Sequence, residues 1–66
     1  MRILLNGDPR DLPAPLTVQA LLATLDIDPR VVAVELNRVV VKRARYVDTV
    51  IEEGAEVEIV AFVGGG

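Results

Sequence analysis

Only one segment of this chain has the residue spacing of an amphipathic helix. Its apolar residues recur at positions i, i+3, i+4 and i+7, namely Val18, Leu21, Leu22 and Leu25. Thr17 precedes them and is a suitable N-cap, because its hydroxyl can accept a hydrogen bond from the first free amides of a helix. We therefore predict one helix over residues 18–25. One short helix can bury only one face of a sheet, which indicates an α+β domain.

The remaining regular structure is predicted as strands separated by turn residues. Apolar and alternating runs place strands at 1–5, 10–12, 31–36, 39–41 and 56–62. Asn6-Gly7 is a strong signal for a two-residue hairpin turn. Pro9 lacks an N–H, so the second strand lies at a sheet edge or begins after the proline. The Asn37-Arg38 turn would hold an arginine at positive φ, which is strained, so a bulged or longer turn is an alternative there.

The order of these elements indicates the fold. The strand at 31–36 is mostly apolar, and we expect it to be buried on much of both faces, while an irregular connector over 43–53 is anchored by Tyr46 and Val50. Hairpin, helix, hairpin, connector and strand is the order typical of the β-grasp, or ubiquitin-like, fold, with a mixed sheet of about five strands packed on one helix. The pairing of first and last strands is taken from likeness to that fold. With no repeat or linker, residues 1–66 are predicted to form a single domain.

The composition excludes several classes of function. The chain has no Cys, His or Ser, so thiolate chemistry and the usual nucleophile–imidazole pairs cannot be assembled. We predict no catalytic residue, no metal site and no bound cofactor, and we do not expect an enzyme. A net charge of −3 argues against a nucleic-acid partner. No apolar run approaches the roughly 20 residues that span a bilayer, and no secretory signal is present, so a cytoplasmic protein without a membrane partner is expected.

Charge is unevenly distributed in the second half of the chain. Basic residues occupy 38–45 without an acid, and acidic residues occupy 48–58 without a base. Two interpretations are open: two solvated surfaces, or an acidic docking face for a basic partner, which would raise association rates more than affinity.

The glycines at the C-terminal end are the feature that points to a function. Val63 is followed by Gly64, Gly65 and Gly66, and 63–66 are predicted to form a mobile tail, because glycine stays flexible when nothing packs on it. Three residues extend about 10 Å, which could carry a terminal carboxylate into the active site of a partner. A carboxylate adenylated by ATP can react with a sulfur nucleophile, which displaces AMP and leaves a thiocarboxylate. The alternative is that the tail is frayed and inert.

Three residues near the root of this tail are candidate partner contacts. Val60, Phe62 and Val63 precede the glycines, and an aromatic side chain there offers a large apolar area to a binding pocket. Phe62 is either a core residue or half-exposed for such a contact. Val60 shares its face if the strand is regular.

Several stretches together resemble the ThiS family, the small sulfur carriers of thiamine thiazole biosynthesis. They are residues 3–7, 17–18, 21–22, 32–37 and 54–66. The chain departs from the family pattern at Arg38 and Ala55, where glycine and aspartate are frequent. Both are turn positions away from the terminus, so they put local turn geometry in doubt and not the chemistry.

The resemblance implies a β-grasp carrier that is a co-substrate and not a catalyst. An E1-like adenylating enzyme of the ThiF type would use ATP to activate Gly66, and a relay from a cysteine desulfurase would supply the sulfur. The resulting 1-thioglycine at Gly66 would donate sulfur to a thiazole synthase of the ThiG type. The alternatives are a sulfur carrier for molybdopterin or tRNA thiolation, a ubiquitin-like protein modifier, and a passive interaction module.

Overall fold

The computed structural model describes residues 1–62, and its elements follow the predicted order. The strands and the helix are β1 Arg2–Leu5, β2 Asp8–Asp11, β3 Leu16–Thr17, α1 Val18–Thr24, β4 Val32–Leu36, β5 Val39–Val41, β6 Val50–Ile51 and β7 Glu56–Ala61. Two short 3₁₀ helices, Pro29–Val31 and Arg43–Arg45, lie in the connections. Among these residues, no helix has the length and apolar content needed to cross a membrane.

Five of the strands form one mixed sheet, in the order β2-β1-β7-β4-β5. β1 runs parallel to β7, whereas the other neighbouring strands are antiparallel. β3 and β6 form a separate two-stranded sheet that the sequence patterns did not indicate. The large sheet with one helix packed on it confirms the predicted β-grasp fold, including the pairing of the first and last strands.

Helix α1 begins and packs as its sequence predicts. The Thr17 hydroxyl accepts a hydrogen bond from the Ala20 amide at 3.1 Å, which confirms the N-cap. The helix ends at Thr24, one residue before the predicted end. Its buried residues join side chains from the strands and the connector to form the core: Ile3, Leu12, Val18, Leu21, Leu22, Val32, Val34, Tyr46, Ile51, Ala55 and Val57.

Both hairpins turn through two residues with positive φ. The Asn6-Gly7 turn, with φ of 50° and 84°, confirms its prediction. Asn37 and Arg38 have φ of 51° and 70°, and the pairing across this turn leaves no room for the bulged or longer alternative. Arg38 therefore occupies a position that usually favours glycine.

Strand β2 contains Pro9 because the proline lies where no hydrogen bond to β1 is needed. β2 is an edge strand, and Met1 and Leu12 exchange main-chain hydrogen bonds at its far end. Hydrogen-bonded and non-hydrogen-bonded pairs alternate along an antiparallel ladder, so the pair of Leu4 with Pro9 is non-hydrogen-bonded. This confirms the edge alternative: β2 begins at Asp8 and includes the proline.

Strand β4 differs from its prediction. It begins at Val32, because Val31 belongs to the preceding 3₁₀ helix and is exposed. Val32 and Val34 are buried under α1, whereas Ala33 is half-buried and Glu35 is exposed. The expected burial of much of both faces was wrong, because within residues 1–62 the helix layer covers only one face of this sheet.

Of the two residues predicted to anchor the connector, one is buried and the other is exposed. Tyr46 is buried, as predicted. Val50 is 49% exposed, and its neighbour Ile51 is fully buried instead, so the prediction of Val50 was wrong. The pairing of β6 with β3 explains the difference, because side chains alternate along a strand and only one of two neighbours can face the core.

The turn that leads into β4 is stabilised by a local ion pair. The Asp28 carboxylate accepts a hydrogen bond from the Arg30 amide at 2.8 Å and contacts its guanidinium at 2.8 Å. These hydrogen bonds, the side-chain bond first, lower the pKa of Asp28 from 3.8 to about 2. The turn also holds Val31, whose carbonyl accepts a hydrogen bond from the Phe62 amide at 2.8 Å.

Replacing Ile51 by alanine should be far more damaging than the same change at Val50. Ile51→Ala opens a cavity in the core and should lower the free energy of unfolding by about 2–5 kcal/mol. Val50→Ala removes a half-exposed side chain and should cost less than about 1 kcal/mol. Urea unfolding of both variants measures the difference. Equal losses would contradict the assignment of Ile51 as the anchor.

The Asp28–Arg30 pair should make stability fall in acid. Because the folded-state pKa of Asp28 is lowered, its contribution is present above about pH 4 and is lost as the pH falls toward 2. The melting temperature of wild type should therefore exceed that of Asp28→Asn near neutral pH, and the two should converge near pH 2. In an Arg30→Gln background the pH dependence should shrink. A difference that stays constant with pH would contradict this account.

Candidate functional site

The face of the large sheet that points away from α1 exposes two of the predicted partner contacts, Val60 and Phe62. We call this surface the outer face. Side chains alternate along β7, so Val57 and Ile59 lie under the helix, whereas Val60 and Phe62 point outward. Val60 is 58% exposed and Phe62 is 60% exposed. Phe62 is therefore not a core residue, and the exposed alternative holds.

Further apolar residues lie on the outer face, one beside Val60 and two at a distance from it. Ala33 is directly opposite Val60 in the β4–β7 pairing, and Val40 is opposite Glu35 in the next strand. Leu4 lies on the other side of β7, in β1, and is partly exposed. Large exposed apolar side chains on one face of a small protein are typical of an interaction surface.

Acidic side chains border these apolar residues. Glu56 and Glu58 share the outer face with Val60, and Glu35 is directly opposite Glu58. The basic and acidic stretches of the sequence also meet: the Arg38 guanidinium lies 3.6 Å from Glu56, and Arg45 lies 3.4 Å from Asp48. These ion pairs are solvent-exposed and weak. In the register of the sheet, Glu58 and Glu35 lie next to Val60 and Ala33, on the side toward Leu4 and Val40.

The end of β7 is held from both sides. On the β4 side, the Phe62 amide donates to the Val31 carbonyl. On the β1 side, the Asn6 amide donates to the Val57 carbonyl at 2.8 Å. The Asn6 side chain then accepts from the Ile59 amide at 2.7 Å and donates to the Ile59 carbonyl at 3.2 Å. Sequence reasoning identified Asn6 only as a turn residue and missed these contacts.

A groove lies on the helix side of the sheet at the same end of β7. Its volume is about 580 Å³, and its lining includes Leu5, Ile27, Val32, Ile59 and Ala61. No local sequence pattern indicates this groove, because it forms between segments that are distant along the chain. It lies next to the last residues of β7, which lead toward the glycines.

The polar side chains of the described residues are either exposed or hydrogen-bonded, and they form no metal-binding cluster. Within residues 1–62, no group of three or more His, Cys, Asp or Glu side chains could hold a metal ion. Every buried side-chain nitrogen or oxygen in this part of the chain has a hydrogen-bond partner. Val63, Gly64, Gly65 and Gly66, the predicted tail and its root, lie outside the described residues. β7 ends at Ala61, five residues before Gly66 in the sequence.

Comparison with known proteins identifies relatives that span most or all of the chain. The crystal structure of a thiamine biosynthesis protein (ThiS) from Geobacter metallireducens has a TM-score of 0.89 and 35% identity and covers 100% of both chains. The sulfur carrier protein ThiS of Bacillus subtilis is 38% identical over 50 residues, which are 76% of each protein.

Two longer relatives contain a segment similar to the whole chain. The thiazole synthases of Paramagnetospirillum magneticum and Magnetococcus marinus are each 44% identical to it over 66 residues. The chain spans 20% of the length of each of these two relatives. The model of the ThiS family matches residues 3–66. The chain therefore belongs to the ThiS family.

Proposed function

We propose that this chain is a sulfur carrier for thiamine biosynthesis, in which the carboxylate of Gly66 receives the sulfur. The observation that supports this most directly is the course of β7, which is the central strand of the sheet and leads to the exposed Phe62. Val63 and the three glycines follow it in the sequence. A rigid domain would thus present a slender segment that fits a narrow active site. In this role the chain is a substrate of its partners and not an enzyme.

The proposed chemistry takes place at one carbonyl carbon. A carboxylate oxygen of Gly66 attacks the α-phosphorus of ATP, which releases pyrophosphate and forms an acyl adenylate. A hydrosulfide then attacks the carbonyl carbon and displaces AMP, leaving a thiocarboxylate, the 1-thioglycine at Gly66. If the sulfur arrives as a persulfide from a cysteine desulfurase relay, the first product is an acyl disulfide. A thiol then cleaves it, forming a disulfide and releasing the thiocarboxylate.

The proposed partners are an E1-like adenylating enzyme of the ThiF type and a thiazole synthase of the ThiG type. The thiazole synthase relatives support the second partner, because a segment like this chain is part of the same polypeptide in both. Thiocarboxylates of this kind also suit molybdopterin synthesis or tRNA thiolation. The same two relatives favour thiazole formation over these alternatives.

The outer face supplies the proposed docking surface. Val60 and Phe62 form its apolar part near the tail, and Val63 would extend it. Glu58 and Glu35 border this part and would steer a basic partner surface toward it. Docking through exposed side chains that contribute little to the core would leave the fold unchanged on binding.

Intact mass spectrometry tests the carrier chemistry. Incubation with ATP, a ThiF-type enzyme and hydrosulfide should add about 16 Da, because sulfur replaces oxygen at Gly66. Fragmentation should locate the added mass at the last residue of a chain that ends there.

A variant with one alanine added after Gly66 is the control. It should melt at the same temperature as the unextended protein and should gain no mass. The proposal is wrong if the unextended protein gains no mass with any enzyme of this type. It is equally wrong if the extended variant is activated as well as the original.

Substitution on the outer face tests the docking surface. Val60→Ala and Phe62→Ala should each raise the KM for the adenylating enzyme by about tenfold, which corresponds to about 1.4 kcal/mol of lost contact. Val47→Ala is the matched control, because Val47 is similarly exposed, at 61%, but lies in the connector. All three variants should keep wild-type melting temperatures. An equal effect of all three substitutions on KM would contradict the assignment.

A further inference from the structure

We propose that Asn6 is a positioning residue that fixes the end of β7 and, through it, the path by which the terminal glycines enter a partner's active site. The inference rests on the proposed function for its kinetic consequence. Its structural basis is the pair of hydrogen bonds between the Asn6 side chain and the main chain of Ile59.

Strand β1 accompanies β7 over only part of its length. Regular pairing of β1 with β7 covers only two residue pairs, Leu4 with Glu56 and Leu5 with Val57. The chain then turns away through Asn6 and Gly7 into β2. Without a further contact, β7 beyond Val57 would be paired on its β4 side alone.

The Asn6 side chain supplies that further contact. Its carbonyl oxygen accepts from the Ile59 amide at 2.7 Å, and its amide nitrogen donates to the Ile59 carbonyl at 3.2 Å. One side chain thus makes the two bonds to Ile59 that two main-chain groups, from different residues, would make in a continued parallel strand. Glycine and aspartate tolerate the same φ of 50°, but neither can both donate and accept here. The contact with β7 therefore explains why residue 6 is an asparagine more fully than the turn conformation does.

Asn37, in the second hairpin, can be compared with Asn6. Asn37 has the same position in its turn and a φ of 51°, and its side-chain oxygen accepts from the Glu56 amide at 2.9 Å. It therefore holds the beginning of β7, whereas Asn6 holds a residue three positions before Phe62. Two asparagines in equivalent turns thus bind one strand at its first and fourth residues, and the contact of Asn6 is the one nearer to the glycines.

The consequence for function follows from geometry. Reaction of the terminal carboxylate requires it to enter a site within about 1 Å of the productive position, and a misplacement of that size can lower a rate about a hundredfold. If the end of β7 separates from β1, the root of the tail at Phe62 samples more directions. Binding through the outer face would remain, because Val60 and Phe62 stay exposed. Loss of the Asn6 contact should therefore lower kcat and have little effect on KM.

The experiment compares Asn6→Gly with Asn37→Gly. Both variants keep a residue that suits the turn, and each loses side-chain hydrogen bonding to β7. Amide hydrogen exchange of Phe62 should be about tenfold faster in Asn6→Gly than in wild type and unchanged in Asn37→Gly. The kcat for adenylation should fall about ten- to a hundredfold in Asn6→Gly, with KM changed less than about threefold, and should stay at the wild-type value in Asn37→Gly.

Several results would overturn the inference. They are an equal fall of kcat in both variants, unchanged Phe62 exchange in Asn6→Gly, or faster exchange with an unchanged kcat. Asn6→Asp replaces the glycine variant if that one does not fold, because aspartate can accept from the Ile59 amide but cannot donate to its carbonyl. The same kinetic change is expected. Failure of wild type to be adenylated would overturn the proposed function alone, and the exchange measurement would still test Asn6.

Discussion

The parallel pairing of β1 with β7 joins segments that are about fifty residues apart, and the other elements are arranged around it. Leu4 pairs with Glu56, and the Gly54 amide donates to the Arg2 carbonyl at 2.8 Å. Parallel strands cannot be connected by a tight turn, so the helix, the second hairpin and the connector together form the crossover. Closing so long a loop costs conformational entropy, which burial of α1 against the sheet must offset. Because of this pairing, the last strand lies at the centre of the sheet.

Local patterns in the sequence predicted the local structure well. The spacing of Leu21 and Leu22, the cap at Thr17 and the Asn6-Gly7 turn are each determined by a few neighbouring residues, and the structure confirms all three. The assignment of Val50 failed because β6 has only two residues, which is too short for alternation to show which side chain faces inward. Its partner β3 is equally short.

Long-range features were beyond the reach of the same patterns. The contact between β1 and β7, the groove beside Ala61 and the bonds from Asn6 to Ile59 all join segments distant in sequence. Of the predicted partner contacts, the alternation of β7 placed Val60 and Phe62 on one exposed face, as the strand period requires. The glycines and Val63 remain predictions from sequence, because they follow the described residues.

In the proposed function, this chain supplies the reacting carboxylate and a partner enzyme supplies the catalytic groups. A chain without Cys, His or Ser cannot assemble the usual nucleophile–imidazole pairs, and in the proposed function the groups that activate Gly66 are supplied by a partner. In the proposed function, the domain would contribute the surface that is recognised and would orient the segment that reacts. Stability and reactivity can then vary independently, since the buried residues under α1 are separate from the exposed residues near Phe62.

Pro9 has a further consequence for how copies of this chain interact. Outward-facing main-chain groups in β2 belong to Pro9 and Asp11, and the proline has no N–H to offer a strand from another molecule. The opposite edge of the described sheet is β5, where Val39 and Val40 are exposed. Fibril-like stacking requires strand addition at both edges of each molecule. The proline therefore removes one of the two outward-facing N–H groups of β2 and weakens strand addition at that edge, which opposes such stacking.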